Sequence, residues 1–199
     1  MKQYDGIADE TLALLYIGGD NRAFDELLAR NQQKLYNYIL FVVRDPELAN
    51  DVFQETFVKV ITRLQEGKYT DSGKFSFWLS KIAHNVIMDT FRQQKSEHIV
   101  EASENNDLNK LRTQDLMEKN RENEYVNSQI LMDVRHLMDT LPAPQREVVY
   151  MRYYQDLSFK EIAEATGVSI NTSLGRMRYA LINMRRLAKE HDLQLNLEL

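Results

Sequence analysis

Between Arg176 and Lys189 the chain carries five basic residues, Arg176, Arg178, Arg185, Arg186 and Lys189, and no acidic one. Guanidinium and ammonium groups in such a run suit phosphate, and hydrogen-bonding side chains stand beside them at Asn171, Thr172 and Tyr179. An apolar stripe at Ile170, Leu174, Met177, Leu181, Met184 and Leu187 recurs at helical spacing. With that stripe turned inward, Thr172, Gly175, Arg176 and Tyr179 fall on the opposite face, flanked by Asn171 and Arg178. A helix of this make-up fits the major groove of DNA, where cations offset phosphate repulsion. The plainer account is a solvated basic face at a helix C-terminus, where the helix dipole also favours cations.

A second constellation mixes charge with an amide and rings. Lys74, Lys81, Asn85 and Arg92 fall at i, i+7, i+11 and i+18, which lines them along one helix edge, with Phe77 and His84 close to it. An exposed surface of that kind suits single-stranded or distorted nucleic acid, where bases stack and phosphates pair. A third group is acidic. Asp51 and Glu55 sit one turn apart beside Gln54, either as a solvated face or as a surface for a partner.

Catalytic chemistry finds little to work with. His84, His98, His136 and His191 are scattered, with no metal-ligand pair at i+3 or i+4, no phosphate-cradling glycine loop and no nucleophile elbow. The expectation is a protein that is not an enzyme, with no catalytic residue, no cofactor and no metal.

The elements that position these groups read as helices throughout. A short helix over about Asp9 to Ile17 ends at Gly18 and Gly19, and a long one follows to about Val43 with Phe24, Leu27, Leu28, Leu35 and Ile39 inward. Asp45 with Pro46 is a cap followed by proline at the first helical position. The helix it starts has Ala49, Val52, Phe53, Phe57, Val60, Ile61 and Leu64 on one side. After a loop from Glu66 to Gly73, a helix from about Lys74 to Gln94 turns Phe75, Trp78, Leu79, Ile82, Val86 and Thr90 inward. Leu141, Pro142, Ala143 and Pro144 forbid a helix until their end, so the next begins at Gln145, with Val148, Val149 and Met151 apolar, and breaks near Gln155 and Asp156. Ser158 and Glu161 form a capping box for a short helix from Phe159 to Ala165. Gly167 frees the turn and Ser169 caps again, which makes a helix-turn-helix.

Composition sets the outer bounds. The 199 residues are 43% hydrophobic, enough to bury a core, and cysteine is absent, so no disulfide framework or thiolate metal site is available. No apolar run approaches a membrane span and no signal-peptide core opens the chain, so a cytoplasmic protein without membrane insertion is expected. The net charge of −5 is unusual for a protein that holds DNA alone, and suggests that the acidic surface faces something else.

Two blocks carry a family resemblance. Asp51 to Phe57 (DVFQETF), then Phe75 to Asn85 (FSFWLSKIAHN) with Asp89 and Arg92, resembles the second conserved region of sigma-70 factors. Leu141 and Pro142, Arg146, Ser158 to Ala163, Gly167 to Ser169, and Arg176, Arg178 and Ala180 resemble the fourth region. With only these two regions and a joining segment, the chain is similar to the extracytoplasmic-function (ECF) subgroup of RNA polymerase sigma factors.

That resemblance implies an all-α fold: a region-2 domain over residues 1–95, an acidic flexible linker over 96–124 and a region-4 helix-turn-helix domain over 125–199. It implies a contact to core RNA polymerase through Asp51, Gln54, Glu55 and Val58. It implies minus-10 promoter contacts through Tyr69, Lys74, Phe77, Lys81, His84, Asn85 and Arg92, with capture of a flipped base, and minus-35 contacts through Asn171, Thr172, Gly175, Arg176, Arg178 and Tyr179. The function implied is promoter-directed transcription initiation in a stress or envelope response, with an anti-sigma factor as a further family partner.

Two positions depart from the pattern. Ser173 stands where the family usually has an apolar residue, facing inward, so packing there is looser or the hydroxyl bonds back to the backbone. Leu174 stands where a basic residue is common, and a phosphate contact is lost. The linker, with eight acids against four bases between Ser96 and Glu124, is either a solvated spacer or a mimic of nucleic-acid charge in the polymerase channel. Two other classes remain: an ordinary dimeric helix-turn-helix regulator, which binds duplex DNA tightly without polymerase, and a helical interaction module, which has no promoter dependence.

Overall fold

The computed structural model describes residues 4–69, 74–101 and 137–190. Seven helices of eight residues or more form among them: α1 (Asp9–Ile17), α2 (Asn21–Val43), α3 (Pro46–Gln65), α4 (Phe75–Glu101), α5 (Ala143–Tyr153), α6 (Phe159–Thr166) and α7 (Ile170–Glu190). Their starts follow from capping chemistry. The Asp20 carboxylate accepts from the Arg22 N–H, and Asp45 accepts from the N–H groups of Glu47 and Leu48 with Pro46 as the first residue of α3. Ser158 and Glu161 close the capping box in both directions, at 3.3 and 2.7 Å. The start of α4 is capped from a distance, with the Phe75 N–H donating to Glu10 of α1 at 2.7 Å. Each such cap is worth about 1 kcal/mol.

The proline pair before α5 acts differently from the expectation. The helix begins at Ala143 with Pro144 inside its first turn, where the missing N–H would have had no helical partner anyway. At the other end α4 continues past Gln94 to Glu101. The expectations for the loop at 70–73, for the linker from 102 to 124 and for 125–136 and 191–199 lie outside the described residues.

Helices α1 to α4 pack as one bundle around Leu27, Leu35, Ile39, Val52, Val60, Leu64, Ile82 and Val86. Helices α5 to α7 form a second unit around Met151, Leu157, Ile162, Met177, Ala180 and Met184. The two units dock, α5 against α2 and α6 against α4, and a continuous apolar cluster runs through both.

In α7 the inward register differs from the expected one. Ser173, Met177, Ala180, Met184 and Ala188 are buried, Leu181 and Leu187 are packed on the rim of the core, and Ile170 and Leu174 are 46% and 44% exposed. The small side chains at 173, 180 and 188 let α7 lie close to its neighbours. The larger apolar residues at its start are thereby rotated out to solvent.

Candidate nucleic-acid and polymerase interface

Helix α3 turns Val52, Thr56 and Val60 into the core, and this fixes the outward direction of Asp51, Gln54, Glu55 and Val58, all exposed. Thr56 satisfies its hydroxyl by donating to the Val52 carbonyl at 2.7 Å. Glu55 pairs with Lys59 at 2.7 Å, and Val58 is 63% exposed beside the acids. A carboxylate pair, an amide and an unpartnered apolar side chain therefore share one helix face.

Lys74, just before α4, and Asn85 and Arg92 on it are exposed, and Lys81 is half-buried. Three residues expected on the same surface lie elsewhere. Phe77 and His84 are buried at 8% and 6% exposure, and Tyr69 at 5%. The edge that would have presented Phe77 and His84 to solvent is covered, because α6 packs on α4 and α5 reaches His84. Tyr69 instead stands edge-on to Phe75 and Trp78, with ring centroids 5.8 and 5.1 Å away. In this arrangement none of the three rings is free to stack on a base.

What covers the edge is polar. The Glu147 carboxylate accepts from the Tyr38 hydroxyl at 2.6 Å and from the His84 Nδ1 at 2.7 Å, all three groups being almost wholly excluded from solvent. Burial and then the Glu147 charge push the Tyr38 phenol well above its ordinary range, so it stays protonated and donates. Arg146 reaches across to the Val42 carbonyl at 2.7 Å and to the Leu141 carbonyl at 3.2 Å. Burial, with Arg44 nearby, brings its guanidinium down to about 10, still charged at neutral pH. Towards the rim Lys74 pairs with Glu161 at 3.0 Å, Lys81 with Glu164 at 3.2 Å, and the Ser80 hydroxyl donates to Gln155 at 3.1 Å.

Sequence reasoning missed Tyr38, Arg146 and Glu147 as a set. The signal was the unbroken apolar run Val148, Val149, Tyr150 and Met151, which covers more than one side of a helix; in the structure Arg146 to Met151 are all buried, so the charged residues find partners inside.

The helix-turn-helix has the expected local chemistry. Gly167 closes α6 at φ 65°, in the left-handed region that glycine favours, and Ser169 accepts from the Thr172 N–H at 3.0 Å. Asn171, Thr172, Arg178 and Tyr179 are exposed, while Gly175 and Arg176 are half-buried. The Ser173 hydroxyl is buried and has no hydrogen-bond partner, so of the two alternatives read from the sequence the bond back to the backbone is not made. Between α3, α4 and the end of α6 lies a cleft of about 520 Å³, lined by Lys59, Arg63, Lys81, Asn85 and Arg92 together with Glu164. Among the described residues there is no cluster that could hold a metal ion and no helix long and apolar enough to cross a membrane.

The geometry is thus two helical units, one carrying an acidic face and a basic edge, the other a capped helix-turn-helix. The family model for Sigma-70 region 2 matches residues 27–97 and that for Sigma-70, region 4 matches residues 131–174, together more than half of the chain and in that order. The chain belongs to the sigma-70 family, in its ECF group. Among relatives of this sigma factor, RNA polymerase sigma factor SigV of Bacillus subtilis (strain 168) is 26% identical over 163 residues, covering 82% of this chain and 89% of SigV. The ECF RNA polymerase sigma factor SigE of Mycolicibacterium smegmatis (strain ATCC 700084 / mc(2)155) is 26% identical over 177 residues, 87% of this chain and 66% of SigE. In fold, it is similar to the sigma factor RpoE, solved with the anti-sigma factor NepR from Bartonella quintana, at a TM-score of 0.64 and 18% identity, covering 83% of this chain and 96% of that one.

Proposed function

We propose that this sigma factor directs promoter-dependent initiation with two DNA-reading units, and that before it meets polymerase it holds the second unit, through α6, against the minus-10 edge of the first. The observation that carries this reading is the docking of α6 on α4. It sets Glu161 on Lys74 and Glu164 on Lys81, so carboxylates occupy cations that DNA phosphates would otherwise take.

The division of labour follows the two regions. Residues 1–95 carry the polymerase contact, through Asp51, Gln54, Glu55 and Val58, and the minus-10 contact, through Lys74, Lys81, Asn85 and Arg92. The exposure of both groups, with Lys81 half-covered, supports these roles. Phe77 and His84 join the minus-10 surface only when α5 and α6 move away; Tyr69 acts from within the core as support for the Trp78 side. Residues 125–199 carry the minus-35 contact, through Asn171, Thr172, Gly175, Arg176, Arg178 and Tyr179, with 96–124 as the tether. The factor binds and positions rather than catalyses, and it works in the cytoplasm, where its polymerase is.

An anti-sigma factor is the natural third partner, as for the relative solved with NepR, and an ECF role in a stress or envelope response fits. The test is run-off transcription from genomic promoter fragments with sigma-free core polymerase, comparing the native chain with Asp51→Lys/Glu55→Lys. Specific starts that fall at least about tenfold on reversal are expected, since two charge reversals at a complementary contact cost well over 1.4 kcal/mol. Tight duplex binding without polymerase, and no starts with it, would favour the ordinary dimeric regulator.

A further inference from the structure

Leu174 stands on the first two turns of α7 with 44% of its surface exposed and takes no part in the apolar cluster. Asn171 lies one turn before it and Arg178 one turn after, both exposed, so a side chain that can neither donate nor accept sits between two hydrogen-bonding groups on one helix edge. Ile170, 46% exposed, extends the apolar strip towards the helix start. The neighbouring Thr172 hydroxyl is already shared with Ser169 at 2.8 Å.

In a major groove, the start of a recognition helix meets base edges. All four bases present hydrogen-bonding groups at those edges, thymine its O4 acceptor, and thymine alone adds a methyl group. A leucine set against a donor or acceptor strips it of water and returns no bond, whereas against a methyl it removes apolar surface from water on both sides.

We infer that Leu174 is a specificity-determining residue that reads a thymine C5-methyl group in the minus-35 element. The inference rests on the sigma-factor reading and deepens it. A lysine or arginine at this position would add phosphate attraction that all sequences share; leucine exchanges that for discrimination at one base pair.

The test uses the full chain with core polymerase and a promoter fragment from which this holoenzyme starts specifically. Each minus-35 thymine, on either strand, is replaced singly by deoxyuridine, which removes the methyl and leaves base pairing unchanged, and binding is measured by competition. At one position the native holoenzyme should bind the uracil form roughly four-fold more weakly, the equivalent of ~0.8 kcal/mol for one buried methyl. Leu174→Ala should bind the thymine form more weakly by a similar factor and show no difference between thymine and uracil at that position. Leu174→Met should keep the discrimination. Leu174 is exposed, so these variants leave the fold intact.

Indifference of the native holoenzyme to every uracil overturns the inference, as does an unchanged thymine-to-uracil ratio in Leu174→Ala. A minus-35 element with no thymine that matters also overturns it. If Leu174→Ala lowers initiation while leaving DNA binding untouched, the side chain meets a protein instead. Equal binding with the minus-35 element deleted would sink the minus-35 half of the sigma reading itself, and is told apart from loss of methyl discrimination by that deletion.

Discussion

Ser173 and Leu174 are adjacent and carry opposite lessons. The hydroxyl of Ser173 is buried without a partner, and an unsatisfied buried hydroxyl costs on the order of 1 kcal/mol or more. Ser173→Ala removes the cost with almost no change in volume, so it should raise the unfolding free energy by about 1 kcal/mol in urea titration; a loss of stability would mean that the hydroxyl is satisfied in solution. The inward position of Ser173 was legible in the sequence, because the period of an amphipathic helix places it beside Met177. The outward position of Leu174 was not. A hydropathy stripe weighs a side chain by its apolarity, whereas α7 chose its buried face by how closely Ser173, Ala180 and Ala188 allow it to approach.

At the scale of elements, helix starts were the most legible feature. Asp45, Ser158 and Ser169 all accept backbone N–H bonds where their neighbours implied, since a cap is decided by residues within one turn, and Asp20, where no cap was expected, caps α2 in the same way. The loop-side proline pair misled because Pro144 is tolerated in a first turn. The α6 capping box also has a pH signature. Burial raises the Glu161 carboxyl, but bonds from the Ser158 hydroxyl and N–H and the Lys74 charge together bring it below its ordinary value. A folded pKa below the unfolded one gives stability that is present above the ordinary carboxylate range and is lost as pH falls through the folded value. Glu161→Gln should therefore be less stable than the native chain at pH 7, by under about 1 kcal/mol for so accessible a group, and the gap should narrow below about pH 4. Denaturant titrations at the two pH values check this, and a gap that widens in acid would contradict it.

For the whole molecule, the decisive contacts join residues far apart in the chain, and no local pattern announces them. Tyr38 and Glu147 are 109 positions apart, and His84 and Glu147 are 63 apart. Periodicity could assign each helix an inner face but not a second partner on its flank, so Phe77 and His84 were expected on the surface and lie beneath α5 and α6. Family resemblance identified both regions; their mutual docking emerged only from the fold. On the function proposed above, promoter reading requires this docked pair to part. The absence of cysteine allows a clean test. In Lys81→Cys/Glu164→Cys, whose native side chains pair at 3.2 Å, a short crosslinker with a cleavable disulfide can hold α4 and α6 together. Run-off transcription with core polymerase is then measured linked and after cleavage. Initiation by the linked form should be at least tenfold lower than after cleavage, whereas equal initiation by the linked and cleaved forms would contradict a parting of α4 and α6.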